Sequence, residues 1–147
     1  MGQFSVSVFI NRSQQDVFDF ISDPATKHKW MPMVESAAWK PSGDPGVGST
    51  VEAMVKMAGK ETEMQLEITQ WDGPNRYGYK VLPAQFPLKA MAHSFRLEPE
   101  NNGTRVSEVG EFEMVGPLRF AAGLMGKFAT RMNQNELNTL KQVLEAG

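Results

Sequence analysis

The sequence predicts a single α+β domain in which a seven-stranded antiparallel sheet curls around one long C-terminal helix, with two short helices between the first and second strands. Three observations lead there. Apolar residues recur at three- and four-residue steps through Leu118, Ala122, Met125, Ala129 and Met132, and Leu137, Leu140 and Leu144 continue the stripe with a slight rotation. Pro117 suits a first helical turn, and no proline interrupts the chain from there to Ala146. Upstream, segments of period two alternate with short clusters of turn formers, and hairpin-length connections imply antiparallel pairing.

The C-terminal helix sets the scale. About thirty residues at 1.5 Å each make a rod of roughly 45 Å, long for a helix and too amphipathic to span a membrane. Its first half, Leu118 to Phe128, is apolar almost all round because Phe120, Leu124 and Phe128 lie off the main stripe. That half therefore touches more than a sheet: a bound apolar molecule, a covering loop, or a second copy of the chain in a homodimer. Gly123 and Gly126, each costing about 1 kcal/mol relative to alanine, point to a close approach or a bend.

The preceding elements follow in order. Phe4 to Ile10 alternates, with Val6, Val8 and Ile10 on one face, and is the first strand. Ser13 followed by Asp16 is a capping pair that starts a helix with Val17, Phe18, Phe20 and Ile21 on its apolar side. Asp23-Pro24 ends that helix, and Ala25 to Trp30 makes a second short one before Met31-Pro32. Strands are expected over Val34–Lys40, Thr50–Met57, Glu61–Trp71, a segment holding Tyr77, Tyr79 and Val81, Lys89–Pro99, and Thr104–Met114. Turns fall at 41–46, at Gly59, at 72–75, in the loop 83–87, and at 100–103.

Composition narrows the function. A chain of 147 residues, 41% hydrophobic, buries about 68–70% of its unfolded surface as one domain spanning 1–147 without disulfide or metal. It has no cysteine and only two histidines, which excludes disulfides and thiolate chemistry and argues against a zinc site. A net charge of −2 with scattered basic residues argues against nucleic acid as a partner. Neither a secretory leader nor a membrane-inserting segment is read from the sequence, so a cytoplasmic location is expected. No cofactor is expected.

A twisted sheet gripping a rod is filled by the helix at one end only, leaving a hollow. Expected to line it are Met64, Leu66, Tyr77, Tyr79, Met91, His93, Phe95, Glu108 and Phe112 from the strands, with Met125 and Phe128 from the helix. Methionines adapt to irregular outlines, so such a lining suits an apolar ligand.

These residues resemble the START-like, or SRPBCC, superfamily, which includes polyketide cyclase/dehydrase-like proteins, birch-pollen-allergen-like carriers and lipid-transfer domains. The resemblance spans the chain. It rests on the element order and on Asp16-Val17-Phe18, Asp23-Pro24 with Lys29-Trp30-Met31-Pro32, Pro45-Gly46-Val47-Gly48-Ser49, Gly103-Thr104-Arg105-Val106 and the long terminal helix. It implies a helix-grip fold with a deep cavity binding lipids, sterols, polyketides, quinones or plant hormones, in some members with catalysis. It carries no catalytic set onto these positions.

Two residues are candidates for chemistry. His93, among apolar neighbours, could exchange a proton near neutral pH in enolising or dehydrating a ketone, or it could anchor a ligand or bond a core neighbour. Glu108 shares a face with Val106, Gly110 and Phe112 and needs a partner such as His93 or a tyrosine hydroxyl, unless a bulge turns it to solvent. Tyr77 and Tyr79 could stabilise an enolate through their hydroxyls. Trp30 reads as a packing anchor or part of the cavity mouth, and His28 as exposed. Three functions follow: a carrier of a small hydrophobic molecule, a polyketide cyclase or dehydratase using His93 as acid or base, and a protein-interaction module acting through the apolar first half of the last helix.

Overall fold

A computed structural model describes residues 2–40, 44–84 and 88–147. The strands are β1 (Gly2–Ile10), β2 (Val34–Trp39), β3 (Thr50–Met57), β4 (Lys60–Asp72), β5 (Arg76–Leu82), β6 (Leu88–Glu100) and β7 (Gly103–Met114). Helix α1 (Gln14–Ile21) and a 3₁₀ helix (Pro24–Lys29) lie between β1 and β2, and α2 (Ala122–Ala146) ends the chain. All pairings are antiparallel, in the order β1-β7-β6-β5-β4-β3-β2, so the two helices after β1 carry the chain from one edge of the sheet to the other.

Local chemistry explains these elements. The Ser13 hydroxyl accepts the Asp16 N–H at 3.1 Å and starts α1, and Asp23 accepts from Ala25 N–H at 3.0 Å to start the 3₁₀ helix. Ala58-Gly59 and Asn101-Asn102 make two-residue hairpins with positive φ at both central positions, a turn whose twist matches the flanking strands. The alternation in β1 holds: Phe4, Val6, Val8 and Ile10 are buried. Expected turn residues 41–43 and loop residues 85–87 lie outside the described residues.

The C-terminal helix differs from its expected form. The α-helix begins at Ala122, and Gly116–Ala121 is a 3₁₀ helix. Pro117 supplies no N–H, and neither helix start has a side-chain cap, so a tighter turn leads into the α-helix. The rod proper, 25 residues, is about 38 Å long. Ala129, Leu137, Leu140 and Leu144 face the core. The helix is also tied along the outer edge of β1: Gln134 Nε2 donates to Ser7 O at 3.0 Å and Lys141 Nζ to Phe9 O at 2.8 Å. Those bonds cover edge carbonyls that would otherwise invite another strand. An added Cβ would stand 3.5 Å from Gln3 O at Gly126, an ordinary contact, and would meet no described atom within 4 Å at Gly123, so close approach explains neither helical glycine.

Candidate functional site

Inside this apolar grip sits a group of polar side chains that the folding of five elements brings together. Tyr77 and Tyr79 project from β5, His93 from β6, Glu108 from β7, Lys27 from the 3₁₀ helix, and Glu136 from α2. Alternation places the strand residues on the inner face. Across β6 and β7, His93 opposes Gly110 and Phe95 opposes Glu108, so His93 and Glu108 are diagonal neighbours. Their contact is direct, Nδ1 to Oε2 at 2.7 Å, with the two side chains 12% and 1% exposed. The register carries Glu108 inward, so a bulge does not turn it to solvent.

Aromatic rings enclose the pair. The His93 ring stacks on Tyr79, with centroids 5.1 Å apart and planes 27° apart, and meets the edge of Phe4 at 5.7 Å. Phe95 packs against Tyr77 and Trp30. Lys27, fully buried, donates from Nζ to the Tyr77 hydroxyl at 3.2 Å. Its ammonium also lies 5.3 Å and 5.1 Å from the Tyr77 and Tyr79 ring centroids, within cation–π range.

The electrostatics follow from burial. Glu136 is pushed up to about 8, chiefly by desolvation and further by the Glu108 charge, with Lys27 pulling the other way. Burial likewise raises the Tyr79 hydroxyl well above its ordinary value, helped by Glu108, Tyr77 and Glu136. Two buried polar atoms, Trp30 Nε1 and Glu108 Oε1, have no hydrogen-bond partner among the described residues. The enclosed group thus offers a free donor, a free acceptor, a buried ammonium and a carboxyl that changes charge near neutral pH.

The expected lining residues divide. Leu66, Tyr77, Tyr79, Phe95 and Met91 belong to or pack against the core around the polar group. Phe112 is buried near the start of α2, its ring against Gly2 and 3.9 Å from where a Cβ on Gly126 would stand. Met64 borders an open surface groove of about 350 Å³ with Leu82 and Pro83. Met125 is half-buried, and Phe128 is 62% exposed and turned away from the polar group. A second open groove of about 350 Å³ runs between Gly2-Gln3 and Gly123-Gly126, and neither groove is lined by a residue of the polar group. Trp30 is 1% exposed and packs in the core, and His28 is exposed.

Sequence reading missed Lys27, Glu136 and Asn133. For the last two a signal existed: 129, 133, 136, 140 and 144 form one helical stripe, so polar residues at 133 and 136 had to face inward. Asn133 is satisfied locally, donating from Nδ2 to Ala129 O at 2.8 Å. Lys27 lies in a six-residue 3₁₀ helix, too short for periodicity to show a face. Among the described residues, no group of three or more acidic or histidine side chains could hold a metal ion, and no helix is long and apolar enough to cross a membrane.

This architecture, an antiparallel sheet gripping a long terminal helix around an enclosed polar group, is the helix-grip fold. The chain belongs to the polyketide cyclase / dehydrase and lipid transport family, whose profile matches residues 1–145. Solved structures agree in fold. Ara h 8.0201 is 16% identical at a TM-score of 0.76, covering 99% of this chain and 98% of that one. A START superfamily protein from Mycobacterium smegmatis is 14% identical at 0.80, covering 99% of both chains. The Zhui aromatase/cyclase from Streptomyces sp. R1128 is 15% identical at 0.79, covering 97% of this chain and 93% of that one. No curated protein sequence matches the chain.

Proposed function

We propose that this protein binds one small hydrophobic molecule, a lipid, polyketide, isoprenoid or aromatic compound, between sheet and α2, with the ligand's polar end at Lys27, Tyr77, His93, Glu108 and Glu136. The observation that carries this reading is the concentration of ionisable groups in an otherwise apolar interior. Burying Lys27, Glu108 and Glu136 costs stability. A fold gains nothing structural from that arrangement which apolar side chains of similar size would not supply, whereas a ligand with a polar end does gain from it. The unpartnered Glu108 Oε1 and Trp30 Nε1 are a matched acceptor and donor for such an end. Apolar burial, at about 25 cal/mol per Å², supplies the affinity. Native mass spectrometry of the purified protein is expected to reveal a co-purified small molecule. Failure of any apolar compound with a polar end to bind, by calorimetry across a panel, would overturn the reading.

A second reading, acid–base catalysis of a cyclisation or dehydration, draws on the 2.7 Å contact of His93 with Glu108, since a carboxylate orients an imidazole for proton transfer. The two separate on turnover: a His93→Ala protein that binds ligand but forms no product supports the enzyme.

A further inference from the structure

We propose that the outward face of α2's first turns is a docking surface for an anionic lipid membrane. Phe120, Leu124 and Phe128 stand 85%, 73% and 62% exposed, at steps of four residues. Leu124 and Phe128 lie on one face of the α-helix, and Phe120 precedes them in the 3₁₀ turn. Lys127 and Arg131 follow Leu124 by three and seven residues, which puts both on that same face, and both are exposed, as is Arg119. From Met114 to Asn135 the sequence holds these three basic residues and no acidic one, within a chain of net charge −2. An exposed apolar stripe flanked only by cations is the composition of helices that lie in a lipid interface: the apolar side chains enter the acyl boundary and the cations meet anionic headgroups.

Charge argues against a second copy as the occupant. A twofold contact would set Lys127 and Arg131 against themselves with no acid on this segment to pair them. Size argues the same way, because a stripe about 12 Å long and about 10 Å wide, the width of a helix, falls well short of the roughly 800 Å² per partner that a stable protein interface needs. The groove beside Gly123 and Gly126, with Lys127 on its rim, opens next to the stripe, so docking sets that groove against lipid. This inference is independent of what the interior binds.

Co-sedimentation with large vesicles tests it. The protein is expected to pellet with phosphatidylcholine vesicles containing phosphatidylglycerol, not with phosphatidylcholine alone, and to be released as salt rises from about 0.05 to about 0.5 M. Neutralising either cation in Lys127→Gln or Arg131→Gln should weaken binding about fivefold. Leu124→Ser with Phe128→Ser should abolish it while the circular dichroism stays unchanged, since both side chains are exposed. The proposal is overturned by no binding to the anionic vesicles, by equal binding to both vesicle types, or by variants that bind as well as the parent. Binding to soluble polyglutamate as tight as to vesicles would assign the face to an acidic protein instead, and a concentration-dependent dimer lost in the Leu124/Phe128 variant would assign it to a second copy.

Discussion

His93 Nδ1 and Glu108 Oε2 lie 2.7 Å apart as diagonal neighbours on β6 and β7, and the position directly opposite His93 is Gly110. A residue with no side chain at the near position leaves the imidazole to reach the carboxylate two residues away. Glu108 is 1% exposed and its second oxygen has no partner among the described residues, so truncating His93 leaves both carboxyl oxygens without one there. His93→Ala is expected to cost about 1–3 kcal/mol in urea unfolding. Adding Glu108→Ala should cost less than the separate losses combined, with a coupling of about 0.5–3 kcal/mol. Strict additivity would mean that the two groups do not interact.

Gly110 serves a second purpose. A Cβ there would collide with the Phe4 ring, which is only 3% exposed and abuts His93 edge-on. Gly110→Ala therefore has to displace the buried ring directly opposite it in the β1/β7 pair. The expected loss is about 1–3 kcal/mol or more, with a visible shift of the Phe4 and His93 resonances. An alanine protein with unchanged stability would show that Phe4 can move without loss.

The fold was legible because its signals are periodic. The alternation from Phe4 to Ile10 and around Tyr77-Tyr79, His93 and Glu108 gave the inner face of the sheet correctly, and the Ser13 cap marked the start of α1. The site was legible only where strands carry it. Lys27 arrives on a six-residue helix whose neighbours, Thr26 and His28, give no pattern, and its position depends on how that helix packs under Tyr77. An apolar pattern follows Leu137 and passes over Glu136, one residue aside, because it does not single out an acid as a buried member. The all-round apolar pattern at Phe120, Leu124 and Phe128 points to a contact beyond the sheet, and no described part of the chain covers them.

Lys27 separates the cost of a buried charge from its use. Its ammonium has the Tyr77 hydroxyl and two ring faces but makes no ion pair among the described residues. Methionine keeps most of the stem's volume and removes the desolvated charge, so Lys27→Met should leave stability within about 1 kcal/mol of the parent or raise it. Ligand affinity is expected to fall. The Glu136 carboxyl, which Lys27 pulls downward, should titrate higher still in a carbon-13 NMR titration. A downward move in that titration, or a loss of stability near 3 kcal/mol, would show that the ammonium holds the fold rather than a ligand.

Glu136 gives the protein a pH dependence whose sign is fixed. Burial beside Glu108 lifts its pKa from the ordinary 4.5 to about 8 in the folded state, while the unfolded chain keeps the ordinary value. Below 4.5 the carboxyl is neutral in both states and imposes no penalty. Between 4.5 and about 8 the folded state holds a proton that the unfolded state has released, so stability falls as pH rises through this window, by on the order of several kcal/mol if no rearrangement relieves it. Above about 8 the group is ionised in both states and the loss is complete. Glutamine cannot ionise, so Glu136→Gln should match the parent at pH near 4 and gain steadily over it toward pH 8.5, with a melting temperature several degrees higher at the upper end. Comparing the two proteins at each pH cancels the titrating groups that do not interact with Glu136. Parallel profiles from pH 4 to 8.5 would mean that Glu136 meets water in the folded state and that the inner polar group is not closed.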